Sequence, residues 1–228
     1  MTEIWISTRR TEAFARGQSR IGGVPDLPIG TVWPRHRWLR SETDQWPDFH
    51  REDLKQAIER GEVLDEIDHV ALALPFVAQL DLAELASLQT VLPRTGHLWL
   101  FADQQTTLGE IGNCPYQASA CLYVEHATLE RATPPPTPDT LPALALTFSP
   151  ATLGAEQGEP GHALLPDHFE GLNGDVPVGY AGLLRVGSDY TLDDVLNWGD
   201  AAWITFAIPP DALAARRFDE VRAFRFCG

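Results

Sequence analysis

The stretch Tyr180 to Pro209 reads YAGLLRVGSDYTLDDVLNWGDAAWITFAIP. Its first part, Ala181–Val186, is apolar and bounded by glycines, a pattern that predicts a buried strand. Thr191 stands where a helix cap is needed, with Asp194 three residues on at the capping-box spacing. Leu192, Val195 and Leu196 share one helical face, and Gly199 is a natural C-terminal stop. Ala202–Ile208, with Trp203 and Phe206 inside it, predicts a second strand. The order is strand, short helix, glycine, strand.

The same order is met upstream. Val70–Leu80 (VALALPFVAQL) predicts a buried strand with Pro75 at a bulge or edge. Asp81 then caps Leu82–Leu85 with Glu84 at the third position, Gly96 follows, and His97–Asp103 (HLWLFAD) predicts the next strand. Segments 75–103 and 181–208 are read as counterparts. The expected fold is α+β: mostly antiparallel sheet with short helices and an internal duplication of a strand–helix–strand unit. Further strands are expected at Ile4–Ile6, as an edge, and at Ala120–Val124, Ala143–Phe148 and Val221–Phe226, with a short helix from Pro209 through Arg217. Residues 150–180, rich in Gly, Pro, Asp and His, read as a long loop. The run TPPPTPDTLP (133–142) is a connector. It joins two half-repeats, 1–132 and 143–228, of a single domain spanning 1–228.

The 228 residues are enough to bury a core without staples. Cys114, Cys121 and Cys227 make no disulfide framework, which fits a reducing compartment. The first residues form no signal or transit pattern, and no run reaches the length of a membrane span. A cytoplasmic location is expected. The formal net charge of −15 disfavours contact with nucleic-acid phosphates and anionic lipid, and favours a basic partner. Lys55 is the one lysine, so lysine-based phosphate or Schiff-base chemistry has a single candidate.

The charge is uneven. Residues 41–69 carry ten acids against Arg51, Lys55 and Arg60. Residues 35–69 read as an acidic helical insertion around HREDLKQAIERGEVL, with Leu54, Ala57 and Ile58 on one face and a stop at Gly61. Its Trp38, Trp46, Glu52, Asp53, Glu59 and Glu62 are the candidate partner-binding residues. The tryptophans suit either a protein interface or the packing of the helix onto the body.

No G-x-x-x-x-G-K, G-x-G-x-x-G, G-x-S-x-G, H-E-x-x-H or C-x-x-C motif is present. His162, Asp167 and His168 lie together in the long loop, as surface residues, an acid–base pair or half a metal site. Cys114 has no marked base. No cofactor, metal or catalytic residue is assigned. Ser19–Pro28 (SRIGGVPDLP) followed by Val32-Trp33-Pro34 is an ordered turn region in which Arg20 beside Gly22 and Gly23 has the makings of an anion site. Gln79, Asp189 and Asp200 sit at element junctions, where an Asp is equally a cap or turn former. If the halves face each other, Arg20, Gly22, Gly23, Trp33, Gln79, Asp189, Trp198 and Asp200 line one ligand groove.

Together SRIGGVPDLP with VWP (19–34), PFVAQLDLAEL (75–85), LPRTGHLWLFAD (92–103), LLRVGSDY, WGDAAWITFAI and RRFD (183–219) resemble the YwqG-like family, bacterial proteins of unknown function. Two places depart from the family pattern. The acidic segment 35–69 lies where members tend to be shorter, and 161–176 lacks an expected glutamine segment. The resemblance implies an α+β fold with internal duplication. It also implies, for members similar to proteins encoded near toxin genes, an immunity or antitoxin-like role. The expected function is a non-enzymatic acidic protein that neutralises a basic bacterial toxin. The alternative is a small-molecule-binding protein or enzyme with a groove between the halves.

Overall fold

The structure, a computed structural model, describes residues 3–11, 13–46, 48–103, 118–137, 140–150, 161–165, 179–188, 196, 198 and 202–226. In chain order the elements are β1 (Ile4–Arg10), β2 (Arg20–Ile21), β3 (Asp26–Pro28), β4 (Arg35–Leu39), α1 (Arg40–Thr43), α2 (Asp48–Glu59), β5 (Val63–Asp65), β6 (His69–Ala73), β7 (Phe76–Asp81), α3 (Leu82–Leu85), β8 (His97–Ala102), β9 (Ser119–Val124), β10 (Leu129–Arg131), β11 (Leu144–Pro150), β12 (His162–Leu164), β13 (Ala181–Gly187), β14 (Trp203–Ile208), α4 (Pro210–Ala214), a 3₁₀ turn (Phe218–Glu220) and β15 (Arg222–Phe226).

Ten strands form one antiparallel sheet in the order β15-β14-β13-β12-β1-β11-β2-β7-β8-β9. At its centre β1 pairs with β11 over the full strand, from Ile4 opposite Pro150 to Arg10 opposite Leu144. The even-numbered residues of both strands face the same side, because side chains alternate along a strand. Ile4, Ile6, Leu144 and Leu146 accordingly enter the main core, and Phe148 packs against it. In β8 the even residues Leu98, Leu100 and Ala102 face this core. The odd residues Trp99 and Phe101 face the other side, under Leu27, Leu74 and Leu129. The sheet curls until its edges meet, where the Ala223 N–H donates to Ser119 Oγ at 3.1 Å. The result is a nearly closed barrel filled with side chains. The ribbon β3–β10 covers its outer face beside β8.

The α+β expectation is corrected: this is a mainly antiparallel β fold. Helices α1 and α3 have four residues each and α4 has five. Asp81 does cap α3, accepting from the Ala83 N–H at 3.0 Å. A helix this short closes a link between two paired strands and adds no layer of its own. The proposed repeat unit changes accordingly. The segments 75–103 and 181–208 each form an antiparallel strand pair, but the helix expected at 191–196 falls largely outside the described residues. What is symmetrical is the strand order, which places five strands on either side of the β1–β11 junction. Strands from both sides of the 133–142 connector share this one sheet.

Three local expectations also change. Ile4–Ile6 belongs to a central strand, because both edges of β1 find partners, β11 and β12. The expected strand 70–80 is two strands broken at Leu74-Pro75, where proline removes a ladder donor. One part, β6, lies in a separate sheet β4-β6-β5, and the other, β7, in the barrel. Residues 162–164, read as loop, form β12 between β1 and β13. Segment 35–73 is therefore a small module of three strands and two helices. It has its own core of Trp38, Trp46, Leu54, Ala57, Val63, Val70 and Leu72.

A chain beginning at residue 11 lacks β1, so β11 keeps only β2 and β12 keeps only β13 as a neighbour. It should show no cooperative thermal transition by circular dichroism, whereas the full chain should show one. A cooperative transition in the shortened chain contradicts the central place of β1.

Candidate functional site

β2 is only two residues long, yet both are fully placed: Arg20 lies opposite Gln79 of β7 on one side and Ala145 of β11 on the other. Gly22 and Gly23 follow with φ of +64° and +67°, the left-handed region that suits glycine. A Cβ on Gly22 would fall 2.2 Å from the Pro142 carbonyl oxygen, so the chain turns here in contact with 141–143. Their N–H groups donate to Val77 O at 2.8 Å and Leu141 O at 2.9 Å. Both donors of this glycine pair are thus spent on the fold, and the anion-cradle reading of Gly22 and Gly23 is not what their geometry expresses.

The turn carries the chain back over the sheet and brings Asp26 to Arg20. Asp26 is fully buried, and its Oδ2 accepts from the Gly17 N–H at 3.0 Å and from the Arg20 guanidinium. Its Oδ1 accepts from Arg131 Nε at 2.7 Å. Gln79 completes the arrangement. Its Oε1 accepts from the Asp26 N–H at 2.8 Å and from Trp99 Nε1 at 3.1 Å, and its Nε2 donates to Gln18 O at 3.0 Å. Trp99 Nε1 also donates to Asp26 O at 2.7 Å. The guanidinium of Arg20 lies 4.9 Å from the centre of the Phe14 ring. Burial works against ionising Asp26, but the Gly17 N–H, Arg131 and Arg20 outweigh it and hold the carboxyl below the usual range. Burial also pulls Arg20 down from its ordinary value, against the raising influence of Asp26. It remains charged because a guanidinium is not deprotonated in proteins.

The other predicted groove residues are distributed. Trp33 donates to Leu74 O at 2.9 Å and meets Phe101 edge-on at 5.3 Å, in the same outer layer. Trp198 is buried in the barrel core, and Ser188 Oγ accepts from its backbone N–H at 3.1 Å. Asp189 and Asp200 lie outside the described residues, as do Cys114, Asp167 and His168. His162 sits in β12, where its Nδ1 accepts from the Gly187 N–H at 3.1 Å. The structure thus joins Arg20, Gln79 and, at the edge of the same layer, Trp33. It separates them from Trp198. Asp26, Arg131, Gly17 and Trp99 escaped sequence reasoning as a group. Asp26 reads locally as a turn residue in VPDLP, and only β3–β10 pairing sets Arg131 opposite it.

In the module, Trp38 packs edge-on against Trp46 at 5.6 Å and against His36 at 4.5 Å. Both tryptophans are buried and fasten the helix down. Glu62 is also nearly buried, taking Arg60 in a bidentate pair at 2.8 and 2.9 Å. Glu52 and Glu59 are exposed and Asp53 is half-buried. Among the described residues, no three His, Cys, Asp or Glu side chains come together as a metal-binding group. No helix there is long and apolar enough to cross a membrane.

The Asp26 contribution to stability is complete above the ordinary carboxylate range and is lost as pH falls through its depressed folded value. Asp26→Asn leaves Arg20 buried without its counter-charge. It should cost about 3–5 kcal/mol at neutral pH and flatten the acid limb of the stability curve. Urea melts across pH test this, and wild-type stability in the variant contradicts it.

No curated protein matches the chain in sequence. Residues 19–165 match a domain of unknown function, DUF1963. The matched region runs from Ser19, at the head of the Arg20–Asp26 turn, to Leu165, just past β12. It takes in the whole of the Asp26 network except Phe14, Gly17 and Gln18, and omits β1 and β13–β15 of the same sheet. On that match over well more than half of its length, the chain belongs to the DUF1963 family of domains of unknown function.

Proposed function

We propose that this protein is a non-enzymatic binding protein whose 35–73 module recognises a basic protein partner. The observation that carries the reading is where exposed apolar surface collects. Of the seven large apolar side chains exposed among the described residues, Leu39 (46%), Phe49 (60%), Leu64 (43%) and Ile67 (91%) belong to the module, and Ile29, Val32 and Val91 lie outside it. The module's four stand among the ten acids of 41–69. Glu52, Gln56 and Glu59 form an exposed stripe along α2 at helical spacing. Asp65 and Glu66 lie at the β5–β6 hairpin beside Ile67, where they pair with Arg40 and Arg37. Apolar anchors supply contact area, and the surrounding negative charge steers a cationic partner and sets the salt dependence.

The resemblance to the YwqG-like family adds a narrower version of this reading. In it the partner is a basic bacterial toxin that the protein neutralises, and the site of action is the cytoplasm. The low, odd cysteine count supports a reducing compartment. The net charge of −15 supports a protein partner over nucleic acid or an anionic membrane.

Capture of partners from a bacterial lysate at low and high salt tests the proposal, followed by rate measurements on the isolated pair. A stoichiometric basic protein should be retained at low salt and lost at high salt. Glu52→Lys combined with Glu59→Lys should slow association by roughly tenfold at low ionic strength. Leu39→Ser combined with Ile67→Ser should act mainly on dissociation. A partner whose binding is indifferent to all four changes would remove the module from the interface.

A further inference from the structure

The barrel seam opens into a groove of about 300 Å³. Its floor is β9, including Leu122 and Tyr123, and its far wall is the turn that carries Arg216, Phe218 and Asp219. Three features set it apart from an ordinary surface crease.

The first is charge. In the segment 211–220, Arg217 pairs with Asp211 at 2.8 Å and with Glu220. Arg216 and Asp219 are turned the other way and both line the groove. Among the described residues neither side chain has a hydrogen-bond or ion-pair partner. Both residues are exposed, so a cation and an anion stand at the rim of one small, mainly apolar space without pairing with each other.

The second is backbone. Arg216 has φ +58°. It occupies the residue after the C-cap of α4, with the Arg216 N–H donating to Leu213 O at 3.1 Å and the Arg217 N–H to Ala212 O at 2.9 Å. That is the Schellman position, where glycine is the usual residue because it adopts the left-handed conformation without strain. A strained conformation held by an arginine at a cavity mouth points to a use for the side chain.

The third is the strand edge. The Asp103 N–H donates to Ala118 O at 2.9 Å, and with the β8–β9 register this assigns the even residues of β9 to the bonds with β8. The backbone groups of Cys121 and Tyr123 then point into the seam. Among the described residues they have no backbone partner there. Beyond Ser119, where β15 closes the seam, the Phe218 ring lies 5.0 Å from the Tyr123 ring and stands in place of a neighbouring strand.

We infer that this groove binds a free α-amino acid with an apolar side chain. Arg216 takes the carboxylate, Asp219 takes the ammonium group, and the apolar side chain lies against Tyr123, on the face of β9 that Phe218 also packs against. The volume is at the lower end of small-molecule sites, which suits a ligand of this size. The groove lies between β9 and the 216–219 turn, on opposite sides of the connector, and shares no residue with the 35–73 module. Either site stands without the other.

The 228-residue chain is titrated calorimetrically, and followed by thermal shift, with L-leucine and L-phenylalanine. N-acetyl-L-leucine and L-leucinamide serve as blocked controls. A saturable heat and a rising Tm are expected for the free amino acids. Each blocked form should bind roughly tenfold or more weakly, since each loses one charge-assisted contact. Arg216→Gly relieves the left-handed conformation, so its unliganded Tm should not fall, while its affinity drops by the same factor. Asp219→Asn should erase the preference for L-leucine over its N-acetyl form. Absence of binding by both free amino acids, equal binding of free and blocked forms, or undiminished affinity in both variants would overturn the assignment.

Discussion

The antiparallel pairing of β1 with β11 is the constraint on which the barrel depends. It joins the first strand to one that enters only after the proline-rich connector, and it runs the full length of both. Each then has one free edge. β12 fills the edge of β1, and β2 fills that of β11. The remaining strands extend outward by hairpins, β7-β8-β9 on one side and β13-β14-β15 on the other. Contacts this distant in sequence close long loops before they return any burial, so the core forms as one cooperative unit.

A second constraint sits on the outer face. Trp99, Phe101 and Leu74 would be exposed there without a cover. The cover is the 13–35 region with the β3–β10 ribbon, and its attachment is polar. A fully buried carboxylate, Asp26, gathers Arg20, Arg131 and the Gly17 N–H, while Gln79 and Trp99 bond the backbone of the same residue. Both carboxylate oxygens are answered by strong donors, which offsets the cost of burying the charge, while Arg20 Nε has no hydrogen-bond partner among the described residues. Because Asp26 draws together positions 17, 20 and 131, the network fixes the register of the cover more narrowly than apolar packing alone. The most specific-looking motif of the sequence, SRIGGVPDLP, is accounted for by this structural task.

That assignment moves functional attention elsewhere. The module 35–73 is attached through β6 to the barrel but has its own core. It carries exposed apolar side chains amid acids on a surface with no role in closing the barrel. The seam groove is the other place where side-chain placement exceeds what folding requires, since Arg216 and Asp219 are turned away from an ion-pair network formed by their immediate neighbours.

Much of the strand content was legible in the sequence, because short, nearly continuous apolar runs such as HLWLFA and AGLLRV, bounded by turn residues, specify strands buried on both faces. The amphipathic helix around Leu54, the Asp81 cap and the connector at 133–142 were legible for similarly local reasons. Composition alone set the charge and the absence of well-marked catalytic motifs. The tertiary structure decided the rest. Capping signals mark where a helix starts and carry no information on its length, so single-turn links resembled layer-forming helices and suggested an α+β class. Whether a strand is central or at an edge depends on partners more than a hundred residues away, as β1 shows. Asp26 and Arg131 meet through 105 residues of separation, and Arg216 reveals its conformation only through the helix end it terminates. Sequence fixes local backbone preference and burial periodicity within a few residues, whereas polar networks and grooves arise where distant segments are brought together by the pairing of strands.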